Sequence, residues 1–182
     1  MKIIIQRDRL VQSVNDVLKA VSTRTTIPIL TGIKLKANEE GVTLTGSDSD
    51  ISIESYIPSE EEGNELVEIK ETGSIVLPAR FFAEIVKKLP ENTVEIEVQS
   101  HLQTLIRSGK AEYKLNGLNA EDYPQLPQIE EENMYSMPID LLKTIIRQTI
   151  FAVSTSETRP VLTRVNWRIE DGQLICLATD PH

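Results

Sequence analysis

The sequence predicts an α+β fold built by internal duplication, with two helices backed by antiparallel sheets in each domain. Three observations carry that expectation. Residues 20–31 (Ala-Val-Ser-Thr-Arg-Thr-Thr-Ile-Pro-Ile-Leu-Thr) return as residues 152–163 (Ala-Val-Ser-Thr-Ser-Glu-Thr-Arg-Pro-Val-Leu-Thr), an offset of 132. The match extends upstream, where Asp8 and Leu10 answer to Asp140 and Leu142, and downstream from Asp48 to Asp180 around an adjustment near Gly41 and Gly172. A weaker repeat lies inside the first copy at an offset of 72, setting Ile3-Ile4-Ile5, Leu10 and Val14 against Ile75-Val76-Leu77, Phe82 and Val86. Self-similarity at a fixed period marks a repeated structural unit, and each half-repeat reads as a strand, a helix and several strands.

The first helix is expected over 7–21, where Leu10, Val14, Val17, Leu18 and Val21 recur at helical spacing and form one apolar stripe. A second is expected over 79–89, burying Phe82, Ile85, Val86 and Leu89 and stopped by Pro90, whose ring and missing N–H cannot continue a helix. A third, over 140–152, should bury Leu142, Ile145, Ile146 and either Phe151 or Val153. Strict alternation marks the strands. Ile33–Ala37 returns as Val42–Thr45 through a turn at Asn38–Gly41, and the alternation resumes at Asp50–Glu54. Val94–Val98 and Thr104–Arg107 flank a turn at Gln99–His101, and another hairpin follows through Ser108-Gly109. Glu60–Gly63 reads as an acidic surface loop and Pro124–Glu132 as a linker between domains. The first domain should occupy 1–128 and a second begin at 129. That second copy is only about a third as long as the first, so the chain is expected to be part of something longer.

Composition excludes several classes. Apolar residues make up 40% and charged residues 26%, which suits a globular domain and not a disordered tail. Apolar runs are a few residues long, too short to span a membrane, and the Met1-Lys2 start does not read as a secretory leader. One cysteine, Cys176, cannot form a disulfide framework and suits a reducing cytoplasm; it reads as a small apolar strand residue.

Catalytic and metal signatures are not found. Ser108-Gly109-Lys110 lacks the earlier glycine and the following hydroxyl residue of a phosphate-binding loop. His101 and His182 have no second ligand at metal spacing, and Asp48-Ser49-Asp50 lacks the later glycine and glutamate of a calcium loop. Ser154, Asp180 and His182 could be drawn as a triad, yet no nucleophile elbow surrounds Ser154. No catalytic residue, metal or cofactor is expected.

The net charge of -9 argues at first against a polyanionic partner. Its distribution argues the other way. The three expected helices carry Arg7, Arg9, Lys19, Arg80, Lys87, Lys88, Lys143 and Arg147 against Asp8, Asp16, Glu84 and Asp140, whereas the remaining residues are strongly acidic. Lysine and arginine are good helix formers, which accounts for part of the bias, but glutamate forms helices equally well and is nearly missing from them. A basic helical surface on an acidic protein suits sequence-independent, salt-sensitive contact with phosphates. The alternative is a β-rich protein-interaction scaffold whose basic helices are merely solvated.

Several motifs together resemble the bacterial DNA sliding clamps, the ring-forming beta subunits of DNA polymerase III. They are Val21-Ser22-Thr23-Arg24-Thr25-Thr26-Ile27-Pro28-Ile29-Leu30, Leu44-Thr45-Gly46-Ser47-Asp48, Pro78-Ala79-Arg80-Phe81-Phe82, Ile106-Arg107-Ser108-Gly109, Asp122-Tyr123-Pro124 and Ala178-Thr179-Asp180-Pro181-His182. The resemblance runs over all 182 residues. It implies a non-catalytic processivity factor: three similar domains per subunit, two subunits closed head to tail, helices lining the hole, and a ring around duplex DNA that tethers the polymerase. It implies DNA contact at Arg24 and, in the second copy, at Ser156, where the family can carry Gln. Arg159, Leu162, Thr179, Pro181 and His182 match the cleft that receives linear peptides from the polymerase alpha subunit, the clamp loader and repair proteins; Pro181 stands where Gly or Ser is usual. Ile85, Leu89, Lys110 and Tyr113 match the subunit interface, although Ile85 and Leu89 equally suit ordinary core. Phe81 and Glu112 occupy positions where that interface can be basic.

Overall fold

The computed structural model describes residues 1–22, 25–126 and 135–180. The chain divides into two compact units, Met1–Pro127 and Gln128–His182.

In the first unit, β1 (Lys2–Gln6) runs directly into α1 (Arg7–Leu18), followed by β2 (Gly32–Asn38), β3 (Gly41–Ser47) and β4 (Ser52–Pro58). A small hairpin, β5 (Glu60–Glu61) and β6 (Asn64–Glu65), leads to β7 (Val67–Glu71). The second half is β8 (Gly73–Pro78), α2 (Ala79–Lys88), β9 (Thr93–Val98), β10 (Gln103–Ser108) and β11 (Ala111–Asn116). Two antiparallel sheets result, ordered β4-β3-β2-β8 and β11-β10-β9-β1-β7.

The half-repeats therefore exchange their first strands. β1 pairs with β9 of the second half, and β8 pairs with β2 of the first. The exchange keeps the internal symmetry residue by residue. Ile3 and Ile5 face Ile96 and Val94, while their counterparts Ile75 and Leu77 face Leu35 and Ile33. Inward side chains of both sheets and both helices, including Ile5, Leu35, Leu44, Leu77 and Ile96, close on one core around Val14 and Phe82. Truncating a ring as enclosed as Phe82 typically costs about 3–5 kcal/mol.

Local chemistry sets the boundaries. Residues Lys19, Ala20 and Val21 donate three residues back, to Asp16, Val17 and Leu18, so the end of the expected helix tightens into a narrower turn and α1 stops at Leu18. The Asp48 carboxylate accepts the N–H groups of Asp50 and Ile51 at 3.0 and 2.8 Å, which removes those donors from the ladder and delays β4 to Ser52. The acidic loop at Glu60–Gly63 is the tip of the β5–β6 hairpin. Its exit, Val67-Glu68-Ile69-Lys70-Glu71, alternates and covers the outer side of β1.

In the second unit, α3 (Ile139–Thr149) precedes β12 (Asn166–Glu170) and β13 (Gln173–Leu177), paired through a turn in which Asp171 and Gly172 have φ of 50° and 74°. The repeat at 132 is geometric as well as sequential. Thr31 Oγ1 donates to Pro28 O at 2.8 Å, and Thr163 Oγ1 donates to Pro160 O at 2.9 Å. The burial expected of the third helix is not found. Leu142, Ile145 and Val153 are half-buried, Ile146 is exposed and Phe151 is 81% exposed. Among the described residues only a two-stranded hairpin is available to cover α3, whereas α1 and α2 share two full sheets.

Candidate nucleic-acid interface

α1 and α2 lie side by side and antiparallel. At one end Arg7 Nη1 donates to Leu89 O at 3.0 Å, so the start of α1 meets the end of α2. At the other end Leu18, Val21, Ser22 and Thr31 surround a cavity of about 400 Å³ with Arg80, from the first turn of α2.

The structure divides the helical cations into two groups. On α1, Arg7 bonds Asp8 as well as Leu89 O and Arg9 pairs with Glu61, and at its C-cap Lys19 pairs with Asp16 at 2.9 Å. Asp8, Gln12, Asn15 and Lys19 recur along the outward side of α1, so that side carries no net positive charge. On α2, Arg80, Lys87 and Lys88 are exposed and form no ion pair among the described residues. Arg80 and Lys87 stand two turns apart on the same face, with Glu84 between them. On α3, Lys143 and Arg147 are one turn apart, exposed and without an ion pair among the described residues. The helical cations without an ion pair among the described residues are therefore those of α2 in the first unit and of α3 in the second.

Arg24 lies outside the described residues. Ser156 is half-buried: its N–H donates to Ser154 Oγ at 3.2 Å and its hydroxyl shares a hydrogen bond with Thr158 at 2.9 Å. Of the expected peptide cleft, Arg159 and Leu162 share one turn, closed by Leu162 N donating to Arg159 O at 2.9 Å. Thr179 is exposed just beyond β13, and Pro181 and His182 lie outside the described residues. No group of three or more metal-ligating side chains occurs among the described residues.

The expected interface residues separate by exposure. Leu89 is 2% exposed and belongs to the core, so it supports a surface only from behind; Ile85 is half-buried against the same core. Lys110 is exposed in the β10–β11 turn, and Tyr113 is 37% exposed on β11. Tyr113 pairs with the buried Ile106, which places it on the inward face of an edge strand. Phe81, on the outward side of α2, is 67% exposed. On the opposite face of the same sheet Arg107 bridges Glu95, Glu97 and Glu112, and Lys2 reaches the first two. The hydrogen bond to Glu112 chiefly holds the Arg107 guanidinium pKa above its ordinary value.

Two features were hidden from sequence reasoning. The partners of α1's cations come from a neighbouring residue, the same helix and a distant hairpin. The strand exchange leaves β4 and β11, equivalent strands of the two halves, at sheet edges with no further strand paired to them among the described residues. The weak repeat at 72 was the only signal for that equivalence.

Residues 1–127 match the family described as DNA polymerase III beta subunit, N-terminal domain, and residues 136–182 match its central domain. The beta sliding clamps of Bacillus subtilis and Halalkalibacterium halodurans are 68% and 63% identical over the whole chain, which covers 48% of each. The crystal structure of the Bacillus subtilis DNA polymerase sliding clamp superposes with a TM-score of 0.98, and the beta subunit from Streptococcus pyogenes, 36% identical, with 0.93. Each comparison covers all of this chain and 48% of the solved one. The chain thus spans about half the length of the relatives it matches.

Proposed function

The chain belongs to the DNA polymerase III beta subunit family, and from that premise we propose that the protein it represents is a DNA sliding clamp. Two subunits close head to tail around duplex DNA, and the ring tethers the replicative polymerase without catalysing a reaction itself. The observation that carries this reading is the set of exposed cations on α2 and α3 that form no ion pair among the described residues, on a chain of net charge -9. Lysines and arginines without carboxylate partners contact phosphates with little desolvation cost and no sequence preference. Mobile contacts of that kind allow sliding, and topology supplies retention.

The β4 and β11 edges support closure. β4 and β11 are related by the internal repeat, so the first unit offers one strand edge to each of two neighbours. At the β11 end, Tyr113, Lys110, Phe81 and Ile85 are candidates for the subunit contact, with Leu89 behind them. Arg159, Leu162 and Thr179, with Pro181 and His182, are candidates for the cleft that takes peptides from the polymerase alpha subunit, the clamp loader and repair proteins. Domains over 1–128 and from 129 onward, action in the cytoplasm, and DNA contact by Arg24 and Ser156 complete the reading. Arg7, Arg9 and Lys19 have acidic partners and contribute less to DNA contact than Arg80, Lys87, Lys88, Lys143 and Arg147.

Charge reversal tests the reading. In the full-length protein, Lys87→Glu with Lys88→Glu should weaken DNA binding and reduce its salt slope by roughly one unit per lost phosphate contact. Arg9→Glu should change that slope little. An unaltered slope in the α2 variant, or an equal loss in the Arg9 variant, contradicts the assignment.

A further inference from the structure

Asp122-Tyr123-Pro124 has no part in the proposed function, yet Tyr123 occupies an unusual position. After β11 the chain crosses the free edge of β8, where Val76 and Leu118 exchange backbone hydrogen bonds of 3.1 and 2.8 Å. A turn at Ala120–Asp122, capped by the Asn119 side chain, then delivers Tyr123 to a small apolar cluster separate from the main core. That cluster holds Leu30, Val76, Ala120 and Tyr123, with Ile29 packed against it. Tyr123 is 2% exposed, and Lys34 Nζ stands 5.8 Å from the centre of its ring. Its hydroxyl is buried near the Ser47 backbone without a hydrogen bond of proper geometry, so the ring supplies the attachment and the polar atom does not.

Ile29 and Leu30 belong to the Pro28–Thr31 turn that follows α1, and Thr31 borders the cavity containing Arg80. One small cluster therefore joins two separate segments of the first unit. One is the Pro28–Thr31 turn, whose Thr31 borders the cavity with Arg80 of α2; the other is the strap that ends the first unit four residues later at Pro127.

We propose that Tyr123 is a positioning residue, whose ring locks the Leu118–Tyr123 strap onto the Pro28–Thr31 turn so that the exit from the first unit and the turn beside Arg80 of α2 move together. The coupling rests on packing alone; its consequence for DNA rests on the sliding-clamp reading. A cluster this small, apart from the main core, opens locally before the unit unfolds.

The test uses the full-length protein with Tyr123→Ala, Tyr123→Phe and Leu30→Ala, read by amide hydrogen exchange, thermal unfolding and retention on closed circular DNA. Tyr123→Ala should speed exchange at 30–32 and 118–123 by about tenfold or more, as loss of a buried aromatic anchor implies, while amides of α1 and β9 keep their protection. Retention should fall several-fold in the alanine variant below its unfolding temperature and stay at the wild-type level in Tyr123→Phe. If Tyr123→Ala does not fold, Leu30→Ala must open the strap from the other side. Opening of 118–123 without 30–32, a uniform loss of protection across the unit, or equal damage by Phe and Ala overturns the proposal. Unchanged retention despite paired opening overturns its functional half. Failure of the wild type to stay on circles overturns the clamp reading instead, and exchange then decides the coupling by itself.

Discussion

Arg7 Nη1 donates to the backbone carbonyl of Leu89 at 3.0 Å, tying the first residue of α1 to the residue that ends α2. The bond satisfies a carbonyl left over at a helix C-terminus and brings a cation to the negative end of the dipole. Arg7→Ala should therefore lower stability by about 1–2 kcal/mol, a charged hydrogen bond discounted for partial exposure. DNA binding should keep its salt slope. A variant of wild-type stability with weakened DNA binding would show that Arg7 faces phosphate instead.

Gly46 tests how closely α1 sits on β3. A Cβ at this position would lie 2.2 Å from Val17 O and 3.1 Å from Val21 Cγ2. The obstacle is backbone, which cannot rotate away, so Gly46→Ala must lift the end of α1 and should cost about 1–3 kcal/mol or more. Denaturant unfolding measures it directly, and an unshifted midpoint would mean that α1 packs less tightly than described.

Asp48 gives a pH signature. Hydrogen bonds from the backbone of Ile51 first, then Asp50, stabilise its carboxylate and lower its pKa below the ordinary 3.8. Because the folded value is depressed, the contribution to stability is present above the unfolded pKa and is lost as pH falls through the folded one. Carboxyl NMR titration should find the Asp48 midpoint below 3.8, and Asp48→Ala should remove that part of the acid limb of the stability profile. A midpoint at or above the ordinary value would contradict the turn geometry.

What the sequence disclosed follows from the range of the interactions involved. Leu10, Val14 and Val17 read as a buried stripe because helix periodicity is local, and the two Pro-x-Leu-Thr turns announced their shared geometry at Pro28 and Pro160. Strand exchange was illegible, because Ile5 against Val94 is decided by packing between halves and not by either segment alone. Charge counting failed on α1 for a related reason. Arg9 looks available until the β5–β6 hairpin, some fifty residues later, places Glu61 beside it. α2 has no such neighbour among the described residues, so there the count and the surface agree. On α3 the periodicity correctly gave a helix, but burial also needs a partner surface, and Phe151 lacks one among the described residues.

Retention on circular against linear DNA tests the ring most directly. The full-length protein, loaded onto closed circular duplex and challenged at raised salt, should remain bound. Cutting the circle should release it within the time of sliding to an end, because the proposed phosphate contacts of α2 and α3 are screened while topology is indifferent to salt. Equal retention on intact and linearised DNA would contradict encirclement and leave only a surface that binds phosphates.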